Sequence, residues 1–128
     1  MEKAKAYQNA KANFKSKNPF FISLLHPSNI SRHLHMNLPF ARKCIPENCS
    51  NIVLRVEGRG SWHVTYTLRP ERAKISNGWK EFVCDNQLKP GDVCVFEVIK
   101  GTQIFMDVTI FHAAGSKSMQ ETEQPDCN

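Results

Sequence analysis

The segment Gly78-Trp79-Lys80-Glu81-Phe82, followed by Leu88-Lys89-Pro90-Gly91-Asp92-Val93-Cys94-Val95-Phe96-Glu97-Val98, decides how this chain folds. Trp79 and Phe82, three residues apart, mark one face of a short helix, and Pro90-Gly91-Asp92 marks a tight turn ahead of a strand. Along that strand Val93, Val95 and Ile99 share one face while Cys94, Phe96 and Val98 share the other, so both faces are largely apolar. A strand buried on both sides belongs to a closed or half-closed barrel with a helix against its outside. An open sheet wetted on one face would alternate apolar with polar residues instead.

Outward from this segment the pattern stays mostly β. Residues 20–25, 34–38, 51–57, 62–67, 73–75, 93–98 and 104–111 read as strands, with turn signals at Gly58-Arg59-Gly60, Arg69-Pro70-Glu71 and Lys100-Gly101-Thr102. Trp62 shares a strand face with Val64, and both Trp62 and Trp79 are assigned to core packing. Pro39 suits the first turn of one short helix, with Phe40 to Cys44 behind it and Pro46 stopping continuation. A second short helix runs through Trp79, Phe82 and Val83, with Ser76 or Asn77 as its cap. The expected class is mainly β: a seven-stranded open β-barrel with two short helices.

The ends differ from this body. Residues 1–17 hold five Lys against one acid and form a basic N-terminal extension, with Ala4, Tyr7, Ala10 or Lys11, and Phe14 recurring at helical spacing. Either this helix is a solvated appendage, or Tyr7 and Phe14 dock it on the barrel. Residues 113–128 are rich in Ser, Gln, Thr and Glu and read as a disordered tail, leaving 18–112 as the folded unit.

Composition bounds the function classes. A chain of 128 residues suits one domain, and 17 basic against 12 acidic residues give a net charge of +5, compatible with a polyanionic partner. No apolar run approaches membrane-spanning length, so no membrane partner is expected. Five Cys without a Cys-x-x-Cys pair, and no leader-like apolar segment, favour a reducing compartment. Cys44 and Cys49 have no second pair at zinc-site spacing, Gly58 and Gly60 lack the context of a phosphate loop, and no nucleophile–base set is evident. No cofactor, metal or catalytic residue is expected, and the chain does not read as an enzyme.

Two loops project basic and hydrogen-bonding side chains, the combination that nucleic-acid recognition needs. The first, His26-Pro27-Ser28-Asn29-Ile30-Ser31-Arg32-His33, joins the first two strands without a single acid. The second, Thr65-Tyr66-Thr67-Leu68-Arg69-Pro70-Glu71-Arg72, leads into the fifth strand, with Lys74 just beyond. Gly58-Arg59-Gly60 is read as a hairpin with an outward Arg, while Lys15 and Lys17 either lie along a duplex or merely keep the linker soluble.

The ordered set Asn18-Pro19-Phe20-Phe21, Leu38-Pro39, Trp62, Gly78-Trp79, Phe82, Leu88 and Gly91-Asp92-Val93-Cys94-Val95-Phe96-Glu97 resembles the plant B3 DNA-binding domain, closest to its reproductive-meristem, vernalization-regulator-like branch. The resemblance covers residues 18–112. It implies a seven-stranded pseudobarrel, double-stranded DNA as partner, a nuclear transcription regulator, and two inter-strand arms that grip the major groove. Carried over position by position, Ser28, Asn29, Ser31, Arg32 and His33 match the first arm, and Tyr66, Thr67, Arg69 and Arg72 the second. Lys74 is added from its place beside that arm. Pro70-Glu71 stands where other branches carry a longer basic and aromatic run, so weak sequence selectivity is expected. The rival reading is a β-barrel protein-interaction module that has lost DNA contact.

Overall fold

The computed structural model describes residues 2–113. In order, the elements are α1 (Glu2–Asn13), β1 (Phe20–Leu24), α2 (Pro27–Ser31), β2 (Leu34–Met36), α3 (Leu38–Cys44), β3 (Asn51–Val56), β4 (Gly60–Arg69), β5 (Arg72–Ile75), α4 (Trp79–Asp85), β6 (Val93–Ile99) and β7 (Phe105–Phe111). The seven strands form one sheet in the order β1-β6-β7-β3-β4-β5-β2, curled into an open barrel with β1 and β2 at its edges. Neighbours are antiparallel except β3 and β7, which run parallel. Phe40 of α3 meets Phe21 of β1 at a centroid distance of 5.0 Å, while α3 itself lies against β5.

Burial of β6 on both faces carries the architecture. Cys94, Phe96 and Val98 point into the barrel with Trp79, Phe82, Ile52, Leu54 and Met106, while Val93 and Val95 point outward. Outside, Ala6 and Ala10 of α1 cover those valines, with Tyr7 and Phe14 packed alongside. The N-terminal helix is therefore docked, and the small side chains of Ala6 and Ala10 give it close approach. Ser16 and Asn18 both donate to the Glu97 carboxylate, which fixes the link from α1 to β1. The expected tail begins at Ala113, whose N–H donates to Asp92 at 2.8 Å; residues 114–128 lie outside the described residues.

Three differences from the sequence reading have physical causes. The first inter-strand loop contains a helical turn, α2, started by Pro27 with Asn29 Oδ1 accepting from the His26 N–H at 2.8 Å. The second strand is shorter than expected because Asn37 leaves it to cap α3, accepting from the Phe40 N–H at 2.9 Å. Helix α4 uses neither Ser76 nor Asn77 as a side-chain cap; Gly78 stands at its start with φ 91°, and the Trp79 N–H reaches the Ser76 carbonyl at 3.0 Å.

At Gly78 both the backbone angle and the close packing require glycine. Its φ lies in the left-handed region, and a Cβ there would collide with the carbonyl oxygen of His63 on β4. The close approach lets α4 sit on β4 and drive Trp79 and Phe82 into the barrel. Gly78→Ala is expected to cost at least about 2 kcal/mol through strain and collision. Urea denaturation monitored by tryptophan fluorescence measures it, and an unchanged midpoint would contradict this account of the α4 junction.

Candidate nucleic-acid interface

The strand register builds one continuous face from the two expected loops. Strand β5 pairs with β2 on one side (His35↔Lys74) and with β4 on the other (Thr67↔Lys74), so His35, Lys74 and Thr67 form a row across the sheet. Because side chains alternate along a strand, the neighbouring rows point inward: Leu34, Ile75 and Tyr66 in one, Met36, Ala73 and Leu68 in the other. Arg69 and Arg72 are paired at the end of the same outward face, and Thr67, Arg69, Arg72, Lys74 and Ser76 line a groove along it. At the opposite end, α2 leads through exposed Arg32 into half-buried His33 and β2.

Arginine partners separate this face from the rest of the molecule. Arg55 on β3 forms an ion pair with Asp107 at 2.7 Å and lies over the Phe105 ring at 4.3 Å. Arg59 in the β3–β4 hairpin donates to the Asp85 carbonyl at the end of α4, 3.1 Å away, so that turn is tied to the fold. Arg42 of α3 donates to the Pro70 carbonyl and braces the β4–β5 turn. The other three arginines, Arg32, Arg69 and Arg72, are exposed, and their guanidinium groups have no hydrogen-bond or ion-pair partner among the described residues. All three border the β4–β5–β2 face.

Three acids lie together elsewhere: Glu57, Glu97 and Asp107 line a groove with Arg55 on the β3–β7–β6 side. Beside the basic face, Glu71 sits in the β4–β5 turn and Glu47 lines a groove with Arg42 and Arg69 at its edge. The field of the basic face registers on His33. Partial burial holds its imidazole below the usual 6.5, and cationic repulsion from Lys74, then from His35, Arg32 and Arg72, lowers it further. The ring of His35 stands edge-on to it, 6.5 Å between centroids.

The expected contact residues divide by environment. Ser28, Arg32, Arg69 and Arg72 are exposed, and Thr67 and Lys74 are half-buried on the sheet face. The Ser31 hydroxyl is exposed and donates to the Pro27 carbonyl at 3.3 Å. Asn29 is engaged within the loop, donating to the His33 carbonyl at 3.5 Å in addition to its bond with His26. Tyr66 requires correction: it is 2 % exposed and belongs to the barrel core, because it shares the inward face of β4 with Val64. Its hydroxyl is buried without a hydrogen-bond partner among the described residues, and burial, with Cys49 nearby, pushes its ionisation up. The alternation that assigned Trp62 inward would have assigned Tyr66 inward as well. The sequence reading missed His35, which the β2–β5 register brings onto the face, and Ser76, which follows β5 and lines the groove.

Other candidates lie apart from it. Lys15 and Lys17 precede β1, whose far end leads into the first loop, so they sit about a strand's length, roughly 15–20 Å, from Arg32. Trp62 is half-buried, packed edge-on against Phe82 at 5.1 Å, with its indole N–H on Asp85 at 2.8 Å, and Cys84 is half-buried. Cys94 is fully buried, and desolvation, with Asp92 beside it, raises its thiol far above the usual range, which leaves it unreactive. No helix among the described residues is long and apolar enough to cross a membrane.

Comparison with known proteins agrees with this fold. A family model described as B3 DNA binding domain matches residues 20–114. The chain is 38% identical over 105 residues to the B3 domain-containing transcription factor VRN1 of Arabidopsis thaliana, an alignment covering 80% of this chain and 30% of that protein. Among solved structures, the hypothetical Arabidopsis thaliana protein At1g16640.1 superposes with a TM-score of 0.65 at 23% identity, covering 78% of this chain and 96% of the other. The Arabidopsis FUS3-DNA complex superposes with a TM-score of 0.55 at 19% identity, covering 70% and 96%.

Two measurements check the geometry of the site. Tyr66→Phe removes a buried hydroxyl that has no partner among the described residues, so stability is expected to stay level or rise by about 1 kcal/mol; a clear loss of stability would show that the hydroxyl is bonded. For His33, an NMR titration is expected to give a midpoint below 6.5. Since the unfolded chain takes up this proton more readily, the His33 contribution to stability is present above that range and declines as pH falls through it. A midpoint above 6.5 would contradict the cationic surroundings.

Proposed function

This chain belongs to the B3 DNA-binding domain family, and we propose that it binds double-stranded DNA as part of a plant transcription regulator in the nucleus. The observation that carries the reading is the partition of the arginines: Arg42, Arg55 and Arg59 are bonded within the fold, while Arg32, Arg69 and Arg72 stand free around one acid-poor face. Leaving three guanidinium groups free at the edges of one sheet face serves a polyanion, since each can grip phosphate or fork onto a guanine edge. The fold shared with the FUS3-DNA complex supports the same partner. The reading is non-enzymatic.

In this reading residues 18–112 form the DNA-binding unit, and 1–17 act as a basic extension that shields the outer face of β6. The α2 segment and the β4–β5 turn are the two arms, entering the major groove from either end of the face. Arg32, Arg69, Arg72 and Lys74 neutralise phosphates or reach base edges, and Ser28, Ser31 and Thr67 supply hydroxyls for phosphate oxygens. His33 adjusts the charge between the arms. The second arm is a two-residue turn, Pro70-Glu71, held down by Arg42, so few side chains extend toward base edges and selectivity for sequence is weak.

Charge reversal tests this directly. Arg32→Glu, Arg69→Glu and Arg72→Glu together are expected to abolish measurable duplex binding in fluorescence anisotropy while the circular dichroism and unfolding midpoint stay near those of the unmodified protein. The single neutralisations to Gln are each expected to reduce the slope of log affinity against log salt by about 0.9 for every phosphate that the arginine neutralises. Failure of the unmodified protein to bind any duplex at low salt would favour the protein-interaction module instead.

A further inference from the structure

Helix α2 spans only Pro27–Ser31, too short to hold its shape unaided. Its support comes from α4, across 50 positions of sequence. The indole N–H of Trp79 donates to the Asn29 carbonyl at 2.7 Å. Trp79 is wholly buried and stacked on Phe82 with 5.3 Å between centroids, which fixes the direction of that N–H. Asn29 then holds both ends of the turn: its Oδ1 accepts from the His26 N–H at 2.8 Å and its Nδ2 donates to the His33 carbonyl at 3.5 Å. Ile30 packs against the core beside it, and the Arg32 N–H reaches the Ser28 carbonyl at 3.0 Å, where the helix ends.

These bonds give Asn29 a role different from base reading. We propose that Asn29 is a positioning residue: the Trp79–Asn29 brace ties the first arm to the barrel core and sets where Arg32 meets DNA. The inference rests on the DNA-binding reading above. Each side-chain amide atom of Asn29 already bonds to backbone at one end of the turn, so turning the amide toward a base would release the segment that presents Arg32. Ordering the arm before binding spares the loss of freedom that a loose loop would suffer on the duplex, and that loss would otherwise weaken affinity.

Two measurements test the brace, one of them independent of DNA. In the free protein, hydrogen exchange followed by NMR is expected to show the Trp79 indole N–H and the His26 amide protected, with His26 protection lost in Asn29→Ala and retained in Asn29→Asp, which keeps an acceptor oxygen. Fast exchange of both groups in the unmodified protein would overturn the brace. For the role in binding, Asn29→Ala and Arg32→Ala are each expected to weaken duplex binding about tenfold. The double variant is expected to bind within about twofold of Arg32→Ala alone, because Asn29 acts through Arg32. Full additivity of the two losses would mean that Asn29 touches DNA by itself and would overturn the proposal. Asn29 is only half-buried, so its alanine variant leaves the barrel core in place, unlike substitution of Trp79. If the unmodified protein binds no duplex, the DNA reading falls and the exchange result alone decides the brace.

Discussion

Two-sided burial of β6 is the constraint from which the rest of the molecule follows. Val93 and Val95 need cover on the outside, and Cys94, Phe96 and Val98 need it within. Each fully buried aliphatic side chain contributes about 1.5–3 kcal/mol, so neither face can be left to water in a domain of this size. Ala6 and Ala10 satisfy the outer demand because their small side chains let α1 lie close to the strand. Trp79 and Phe82 satisfy the inner one. The left-handed Gly78 is what brings α4 near enough to β4 for that to happen. The same tryptophan then reaches through the barrel wall to the first arm, so core packing and arm geometry share one side chain.

Electrostatics follow from strand order. Strands β4, β5 and β2 lie at one end of the sheet order, and β6 and β7 lie toward the other. Glu97 and Asp107, although directly opposed across β6 and β7, are occupied: Glu97 by Ser16 and Asn18, Asp107 by Arg55. These two acids are thus engaged in holding the extension and the far strands, while near the other end Glu47 and Glu71 stay at the edge of the face that the unpaired guanidinium groups border. A modest net charge of +5 becomes a one-sided field through this sorting. Total charge would not have revealed it.

Much of the fold was legible because it depends on local period. Alternation along 93–98, the Pro-Gly-Asp turn and the Trp79–Phe82 spacing act over a few residues, and the seven strands emerged close to their expected places. The helix in the first loop was less legible, since its local bonds are few and it also takes a bond from Trp79 far along the chain. The site was legible in part. Arg32, Arg69 and Arg72 stand out by charge and loop; Arg59 was read as an outward hairpin residue, and its bond to the Asp85 carbonyl is invisible without the tertiary structure. Tyr66 was misassigned because it was carried over with the second arm, whereas its strand parity with Trp62 and Val64 points it inward. His35 gained meaning only from the β2–β5 pairing, and Ser76 only from the groove that it lines.

That pairing has a consequence for how such a surface can diversify. Strand β5 is a ruler of four residues between its two flanking strands, and parity fixes which side of it faces outward. Inserting or deleting one residue in it would exchange Lys74 for Ala73 or Ile75 on the outer side and drive a lysine into the barrel. Changes of length are therefore confined to the turn at Pro70-Glu71 and to the segment around α2, where the chain is not locked between neighbours. Within the ruled region, only replacement of one side chain by another is open. A family built on this sheet can alter its reach at the two ends of the face, but must alter the middle one letter at a time.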